Sequence, residues 1–219
     1  WFEDLTPYIE RDNLDLESLL TPGVDDGYVL PDGKREGMPT TASDFMIAYN
    51  KEIFDEAGVP YPTEDWTWDD FAEIAKKVSS GEGANRIYGV VSHWILQSFA
   101  PMIYGGRPYN DDWTQQQLDD PRVIKGYQLF GDLVKAGAMP DDAASKAMPM
   151  DQMFAAGRAA MYPMGLFEAS SIAKAIGNNF EWDIVMPPKD PEGKTVNIKF
   201  QTGFAMNKDS KNKEAAWAY

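Results

Sequence analysis

Short apolar segments of strand length alternate with helical segments along this chain, and this alternation constrains the fold more than any other feature. Residues 45–49, 86–91, 159–163, 181–186 and 195–200 each have the length and side-chain character of a strand. Strands that alternate with helices are typical of βαβ units. The sequence therefore predicts an α/β fold with mostly parallel sheets.

Capping residues mark where several helices begin. Asn50 precedes a helix through Ala57 that Gly58 ends, and Thr67 with Asp70 three residues later has the spacing of a capping box. A third helix starts at Asp120 and continues to about residue 137, with one apolar face predicted from Val123, Tyr127, Phe130 and Val134. The tract 139–149, which is polar, Ala-rich and bounded by proline, is predicted to be a loop.

Composition excludes several classes of partner. The chain has 20 basic and 35 acidic residues and a net charge of −15, which repels nucleic acid and anionic lipid surfaces. No segment approaches the roughly 18 consecutive apolar residues of a membrane-spanning helix. The chain contains no Cys, so disulfides, thiolate nucleophiles and Cys-ligated metals are excluded as well.

The residue patterns of enzymes and cofactor sites are missing. His93 is the single histidine, and no HExxH pattern accompanies it. Residues 27–34 differ from a phosphate-binding loop in the spacing of their glycines, and Arg35 stands where Ser or Thr is required. The doubled acids at 25–26, 111–112, 119–120 and 141–142 have no EF-hand pattern and adjoin turns or helix starts. We therefore predict no catalytic residues, no metal and no cofactor.

Aromatic residues make up 13% of the chain, and several fall in predicted loops or beside glycine. A pyranose ring has an apolar C–H face that packs on an aromatic ring, while its hydroxyls bond to Asp, Glu, Asn or Gln. Such rings therefore suit the wall of a sugar site, although each of them could instead belong to the core. They are Trp94, Tyr104, Tyr109, Trp113 and Phe167.

Six stretches of the sequence together resemble a known family. They are DLTPYI at 4–9, DGK at 32–34 with GMP at 37–39, YNKEIFDEAG at 49–58, TWDDF at 67–71, FAAGRAAM at 154–161 with Gly165, and SKNKEAAW at 210–217. They occur in the order found in family 1 extracellular solute-binding proteins, which are the maltose-binding-like receptors of ABC sugar importers. The chain resembles the central part of that family over nearly its whole length.

This resemblance implies a two-lobed, type II periplasmic-binding-protein-like fold, present here in part. Residues 1–44 would finish lobe 1, residues 45–198 would form lobe 2, and residues 199–219 would return to lobe 1. It also implies a monomer that binds a mono- or oligosaccharide by hinge closure and presents it to ABC permease subunits. Its location would be extracytoplasmic, either in the periplasm or as a cell-surface lipoprotein, with the signal segment outside this fragment.

The same resemblance implies the ligand-binding positions. The loop after Pro39 corresponds to a sugar-hydroxyl acceptor, the segment at His93 and Trp94 to an aromatic platform, and Phe167 to a position where many relatives have Trp. The implied set is Thr41, Ser43, Asp44, His93, Trp94, Phe167, Glu168, Gln201 and Thr202.

Two other functions stay open at the level of sequence. A glycoside hydrolase also lines its cleft with acids and aromatic rings, although the sequence identifies no pair of catalytic carboxylates. A receptor of the same fold for a cationic solute such as a polyamine would need several carboxylates in its pocket.

Overall fold

The computed structural model describes the chain from Trp1 to Tyr219, except for residues 22, 23 and 25 and the side chains of Asp26 and Ala84. The doubled acid at 25–26 therefore lies outside the described residues. The chain forms two compact units: unit 1 comprises Trp1–Asp44 and Lys199–Tyr219, and unit 2 comprises Phe45–Ile198. These boundaries fall at the predicted residues, while their assignment to the lobes of a receptor stays a prediction.

Unit 1 contains short helices and a two-stranded antiparallel ladder. Its helices are α1 (Thr6–Arg11), α2 (Leu16–Leu19) and α10 (Lys213–Ala218). The first part of β1 (Met38–Asn50) pairs with β5 (Lys199–Phe204), from Met38 opposite Phe204 to Asp44 opposite Lys199. The segment after Pro39, predicted to be a loop, is thus strand, and the strand predicted at 195–200 begins four residues later.

Unit 2 contains a mixed sheet in which the second part of β1 is a central strand. The order is β2 (Tyr88–Val90), β3 (Ala159–Gly165), β1 and β4 (Trp182–Val185). Strands β3 and β4 both run antiparallel to β1, and the only parallel pair among the described strands is β2 with β3. The prediction of mostly parallel sheets is wrong, because the strands beside β1 lie far along the chain and no single crossover helix joins them to it.

Unit 2 also contains seven α-helices among its described residues, and several of their caps form where the sequence predicts them. Asn50 and Thr67 cap α3 and α4 as predicted, and Thr67 forms a capping box with Asp70. Asp120 caps α6 through the backbone N–H of Arg122. The helices are α3 (Lys51–Ala57), α4 (Trp68–Val78), α5 (Trp94–Phe99), α6 (Pro121–Lys135), α7 (Asp142–Ala147), α8 (Met150–Ala155) and α9 (Ala169–Ile176).

Two features of these helices differ from prediction. The buried face of α6 is formed by Val123, Leu129, Phe130 and Leu133, whereas Tyr127 and Val134 are exposed. The face is thus rotated from the predicted one, because Leu129 and Leu133 contribute more apolar area to the core. The tract predicted to be a loop contains α7, whose N-cap Asp141 accepts a hydrogen bond from the Ala144 backbone.

The core of unit 2 fixes the ends of β3 and α5, where the candidate site lies. Every residue of β3 is buried, and the strand ends at Gly165. Large rings pack beneath it and beside α5, including Phe99 on Phe45 and Trp68 on Phe71. Side chains at these ends are therefore attached to a rigid support.

Candidate functional site

An open cavity of about 540 Å³ lies in unit 2, at the start of α5 and the end of β3. We call it the Trp94 cavity. Its walls combine one indole ring with polar groups from four helices and a strand, a composition that suits a polar ligand with an apolar face. Among its lining residues are His93, Trp94, Asp142, Asp151, Tyr162 and Glu168.

His93 is a buried N-cap of α5, with only 3% of its surface exposed. Its Nδ1 accepts a hydrogen bond from the backbone N–H of Ile95 at 3.2 Å. A neutral imidazole that accepts at Nδ1 carries its proton at Nε2. This cap therefore directs the Nε2–H of His93 towards Glu168, whose Oε1 lies 3.8 Å from Nε2.

Glu168 receives hydrogen bonds at both carboxylate oxygens. The hydroxyl of Tyr162 donates to Oε1 at 3.2 Å, and the backbone N–H of Gly165 donates to Oε2 at 2.9 Å. Burial raises the pKa of Glu168, but His93, the Gly165 N–H and Tyr162 together offset burial and hold the pKa below its ordinary value of 4.5. Glu168 is therefore a carboxylate at neutral pH, fixed in place between three groups.

Tyr162 forms the inner wall of this arrangement. Its ring packs edge-on against His93 at a centroid distance of 5.4 Å and stacks on Phe154 at 5.5 Å. Burial, followed by the charge of Glu168, raises the pKa of the Tyr162 hydroxyl. The hydroxyl therefore stays protonated and acts as a donor to Glu168.

Two exposed aromatic residues lie next to His93 and Glu168 in the sequence. Trp94 directly follows His93 and is 51% exposed, and Phe167 directly precedes Glu168 and is 60% exposed. The ring of Phe167 lies against Gly165, where a Cβ atom would come within 2.2 Å of Phe167 Cε1. Trp94 lines the Trp94 cavity, whereas Phe167 lies outside the lining.

The other predicted site residues lie in unit 1 on the ladder of β1 and β5. Thr41 is opposite Thr202, and their hydroxyl oxygens are 2.5 Å apart. Ser43 lies opposite Phe200, Asp44 opposite Lys199, and Gln201 opposite Ala42. Side chains alternate between faces along a strand, so Thr41, Ser43 and Thr202 share one face, and Asp44 and Gln201 share the other.

The remaining aromatic candidates do not line the Trp94 cavity. Tyr104 is buried and donates a 2.5 Å hydrogen bond to Asp69, and Lys125 lies 3.7 Å above its ring. Tyr109 stacks on Trp113 within a loop, and Trp113 is 75% exposed at a φ of 58°. Tyr104 thus belongs to the core, which is the alternative that the sequence left open.

Sequence reasoning missed Tyr162, Asp142 and Asp151. Tyr162 lies in a continuous apolar run that indicates a core strand, and only the structure shows that its hydroxyl donates to Glu168. Asp142 does belong to one of the doubled acids in the sequence, but these pairs were interpreted only as adjoining turns or helix starts.

The described part of the chain contains neither a cluster of metal-ligating side chains nor a membrane-spanning helix. No group of three or more His, Asp or Glu side chains there is close enough to hold a metal ion. No helix among the described residues has the length and apolar character needed to cross a membrane.

The model of the bacterial extracellular solute-binding protein family matches residues 1–219. The chain belongs to this family. A putative binding protein of Brucella abortus is 27% identical to this solute-binding protein over 207 residues, which are 92% of the chain and 48% of that relative. The periplasmic protein UgpB of Rhizobium meliloti, which binds sn-glycerol-3-phosphate, is 26% identical over 168 residues, covering 73% and 38%. The chain thus spans about half the length, or less, of these curated relatives.

Solved structures give the same fold. An ABC substrate-binding protein of Listeria monocytogenes in complex with cycloalternan matches this solute-binding protein with a TM-score of 0.88 and 30% identity, over 99% of this chain and 55% of that one. Maltose-bound MalE3 of Thermotoga maritima matches with a TM-score of 0.77 and 21% identity, over 99% and 56%. The predicted fold class is confirmed, as a partial match to two-lobed solute-binding proteins.

Membership of this family indicates the general kind of function, which is solute binding. Its members are described by solute binding rather than by catalysis, in agreement with the prediction that this solute-binding protein is not an enzyme. The glycoside hydrolase alternative is thereby disfavoured. The family is extracellular, which agrees with the predicted export.

Proposed function

We propose that the protein is a carbohydrate receptor that binds its sugar in the Trp94 cavity and delivers it to an ABC importer. The observation that carries this proposal is the pairing, in one cavity, of a half-exposed indole with a fixed polar network. Trp94 offers a face to the C–H side of a sugar ring, and Glu168 and Asp142 offer oxygens to its hydroxyls.

The charge of the lining favours a neutral polyhydroxyl solute over an anionic one. Asp142, Asp151 and Glu168 line the cavity, and among the described residues no Lys or Arg side chain lines it. Three carboxylates repel a phosphate group, so a glycerol phosphate like that bound by the UgpB relative fits poorly. Solved relatives of this fold contain tagatose, mannitol and ribitol, which are all neutral polyhydroxyl compounds.

The same carboxylates support a second candidate, a cationic solute such as a polyamine. Asp142 and Asp151 would bind the amines, and Glu168 would add a third carboxylate to the cavity wall. Two separate acids and an indole can accommodate a cation through ion pairs and a cation–π contact. A binding panel must therefore include spermidine.

The remaining parts of the proposal follow from the family. Closure of the two lobes around the sugar, contact with ABC permease subunits, a monomeric state and a periplasmic or lipid-anchored location are all implied by the resemblance. The resemblance also implies ligand binding by the predicted residues of unit 1.

The test is calorimetric titration of the whole protein with a panel of mono- to tetrasaccharides, polyols, sn-glycerol-3-phosphate and spermidine. We expect saturable binding of a neutral sugar and about a tenfold loss of affinity in Trp94→Ala, the size expected for a lost aromatic contact. Trp113→Ala is the matched control, since it removes an equally large exposed indole outside the cavity, and its affinity should be unchanged.

Other outcomes would refute the proposal. Binding of spermidine alone would favour the polyamine receptor, and binding of the glycerol phosphate alone would contradict the charge argument. Release of nitrophenol from chromogenic glycosides would favour a hydrolase. Equal losses in Trp94→Ala and Trp113→Ala would remove the sugar from the Trp94 cavity.

A further inference from the structure

His93 is the only histidine of the chain, and it stands in the wall of the Trp94 cavity. Histidine is the side-chain type that ordinarily changes its charge between about pH 5 and pH 8. The other titratable side chains among the described lining residues are three carboxylates and one phenol: Asp142, Asp151, Glu168 and Tyr162. Glu168 and Tyr162 keep one form through that range, because the pKa of Glu168 lies below 4.5 and that of Tyr162 is raised by burial.

The start of α5 requires the neutral form of His93. Its Nδ1 accepts the hydrogen bond from the backbone N–H of Ile95, and this bond is the N-cap of the helix. An imidazolium carries a proton on each ring nitrogen and has no acceptor. Protonation at Nδ1 therefore brings two donors face to face, and the first turn of α5 loses its cap.

The same turn of α5 carries the indole of the cavity. Trp94 is the first residue of α5, and the centroid of its ring lies 5.6 Å from that of His93. When the cap is lost, the first turn can leave its present geometry, and the indole moves with it. A ligand that packs on Trp94 therefore binds the capped protein, in which His93 is neutral, more tightly than the uncapped protein.

Two opposing influences act on the charge of His93. The carboxylate of Glu168, 3.8 Å from Nε2, and those of Asp142 and Asp151 in the cavity wall favour a proton on the ring. Burial opposes the charge, since His93 is only 3% exposed. A neutral ligand displaces water from the cavity and adds no charge of its own, so it strengthens the effect of burial. The bound state thus favours the neutral imidazole more than the free state does.

We propose that binding in the Trp94 cavity is coupled to the loss of a proton from His93, so that the receptor binds its sugar more weakly in acid. This inference rests on the proposed carbohydrate function and adds a regulation of the same site. As the pH falls, His93 takes up a proton, the capped form becomes rarer, and the apparent dissociation constant rises. Coupling is reciprocal, so the sugar in turn lowers the affinity of His93 for a proton.

Calorimetry of the whole protein tests the coupling without any substitution. Maltose is the first probe, and the tightest-binding sugar of the panel replaces it if maltose does not bind. The affinity should be about fivefold lower at pH 5.5 than at pH 8, which is the size of effect expected from one helix cap. Titrations at intermediate pH in phosphate and in Tris, two buffers with different ionisation enthalpies, should show the release of part of a proton for each sugar bound.

Two substitutions at one position assign the proton to His93. Asparagine is a strong N-cap that does not titrate, so His93→Asn should have one affinity at both pH values and release no proton. His93→Ala has no capping side chain at any pH, so it should bind about fivefold more weakly than the original protein at pH 8 and should also lack the pH dependence.

The outcomes separate this coupling from the function on which it rests. Equal affinity of the original protein at both pH values, or sugar binding without proton release, would overturn the coupling and leave the carbohydrate receptor intact. A pH dependence that persists in His93→Asn would overturn it as well, because the proton would then belong to another group. Absence of binding to every sugar of the panel would overturn the receptor and the coupling together.

Discussion

The candidate side chains of unit 2 and unit 1 differ in how they are supported. In unit 2 they form hydrogen bonds within a packed cluster, whereas in unit 1 they lie on a two-stranded ladder. In unit 2, Glu168 has hydrogen bonds to both oxygens and a buried histidine beside it. In unit 1, Thr41 and Thr202 bond across two exposed strands, and Asp44 lies exposed opposite Lys199. The polar groups of unit 2 are therefore already ordered in the free protein, which would reduce the entropic cost of binding the proposed ligand.

Glu168→Ala should have the largest effect on stability of the substitutions considered in the two units. Glu168→Ala leaves the Gly165 N–H and the Tyr162 hydroxyl without their acceptor, which should lower the free energy of unfolding by about 3 kcal/mol. Asp44→Ala in unit 1 should change it by less than about 0.5 kcal/mol, as expected for an exposed side chain. Urea denaturation of both variants measures the difference, and equal effects would contradict the claim that the two regions differ.

Gly165→Ala tests how firmly unit 2 holds the ring of Phe167. The added methyl group of Gly165→Ala meets the edge of Phe167, so the ring must leave its present position. We expect a loss of about 1–2 kcal/mol in stability, as for moderate overpacking. If Phe167 contacts the ligand, Gly165→Ala and Phe167→Ala should weaken binding alike in calorimetry; unchanged affinity in both would remove Phe167 from the site.

Acid should destabilise unit 2 by protonating Glu168. The loss of stability should be smaller than that caused by Glu168→Ala. The folded-state pKa of Glu168 lies below its ordinary value of 4.5, because the folded protein favours the carboxylate. Its contribution to stability is therefore present above about pH 4.5 and is lost as the pH falls through the folded-state pKa. The free energy of unfolding, measured from pH 7 to pH 3, should fall less steeply below pH 4.5 in Glu168→Gln. Parallel curves would show that the carboxylate is not stabilised by folding.

The smallest effect is expected at the threonine pair of unit 1. Thr41→Val and Thr202→Val each remove one hydroxyl from an exposed cross-strand pair, and such pairs are worth about 0.2–1 kcal/mol. A double-mutant cycle in urea denaturation should give a coupling energy in that range. A coupling above about 2 kcal/mol would mean that the ladder is held as firmly as the Glu168 cluster.

The sequence predicts the local features of this fold well and the long-range ones poorly. The caps at Asn50, Thr67 and Asp120 depend on residues within one helical turn, and all three form as predicted. The direction of pairing between β1 and its neighbours depends on strands from distant parts of the chain, and the predicted parallel pairing was wrong. Helix α7 was missed because the prolines around it were given more weight than its N-cap, Asp141.

The candidate site follows the same rule. Trp94 and His93 are neighbours in sequence, and the resemblance identified both. The contact between His93 and Glu168 joins positions far apart in the chain, and no residue pattern in the sequence predicts it. Tyr162 is hidden in an apolar strand, and its hydroxyl becomes informative only when the opposite carboxylate is known.

His93, the N-cap of α5, can serve as an NMR reporter for the Trp94 cavity. His93 is the only histidine among the 219 residues, and its Nδ1 is already engaged by the Ile95 backbone. Labelling histidine with nitrogen-15 would therefore give one pair of ring-nitrogen resonances from these 219 residues. Their chemical shifts should be those of a single tautomer. A sugar entering the adjacent cavity would shift that pair, so ligand binding could be followed by NMR at one known position without any substitution.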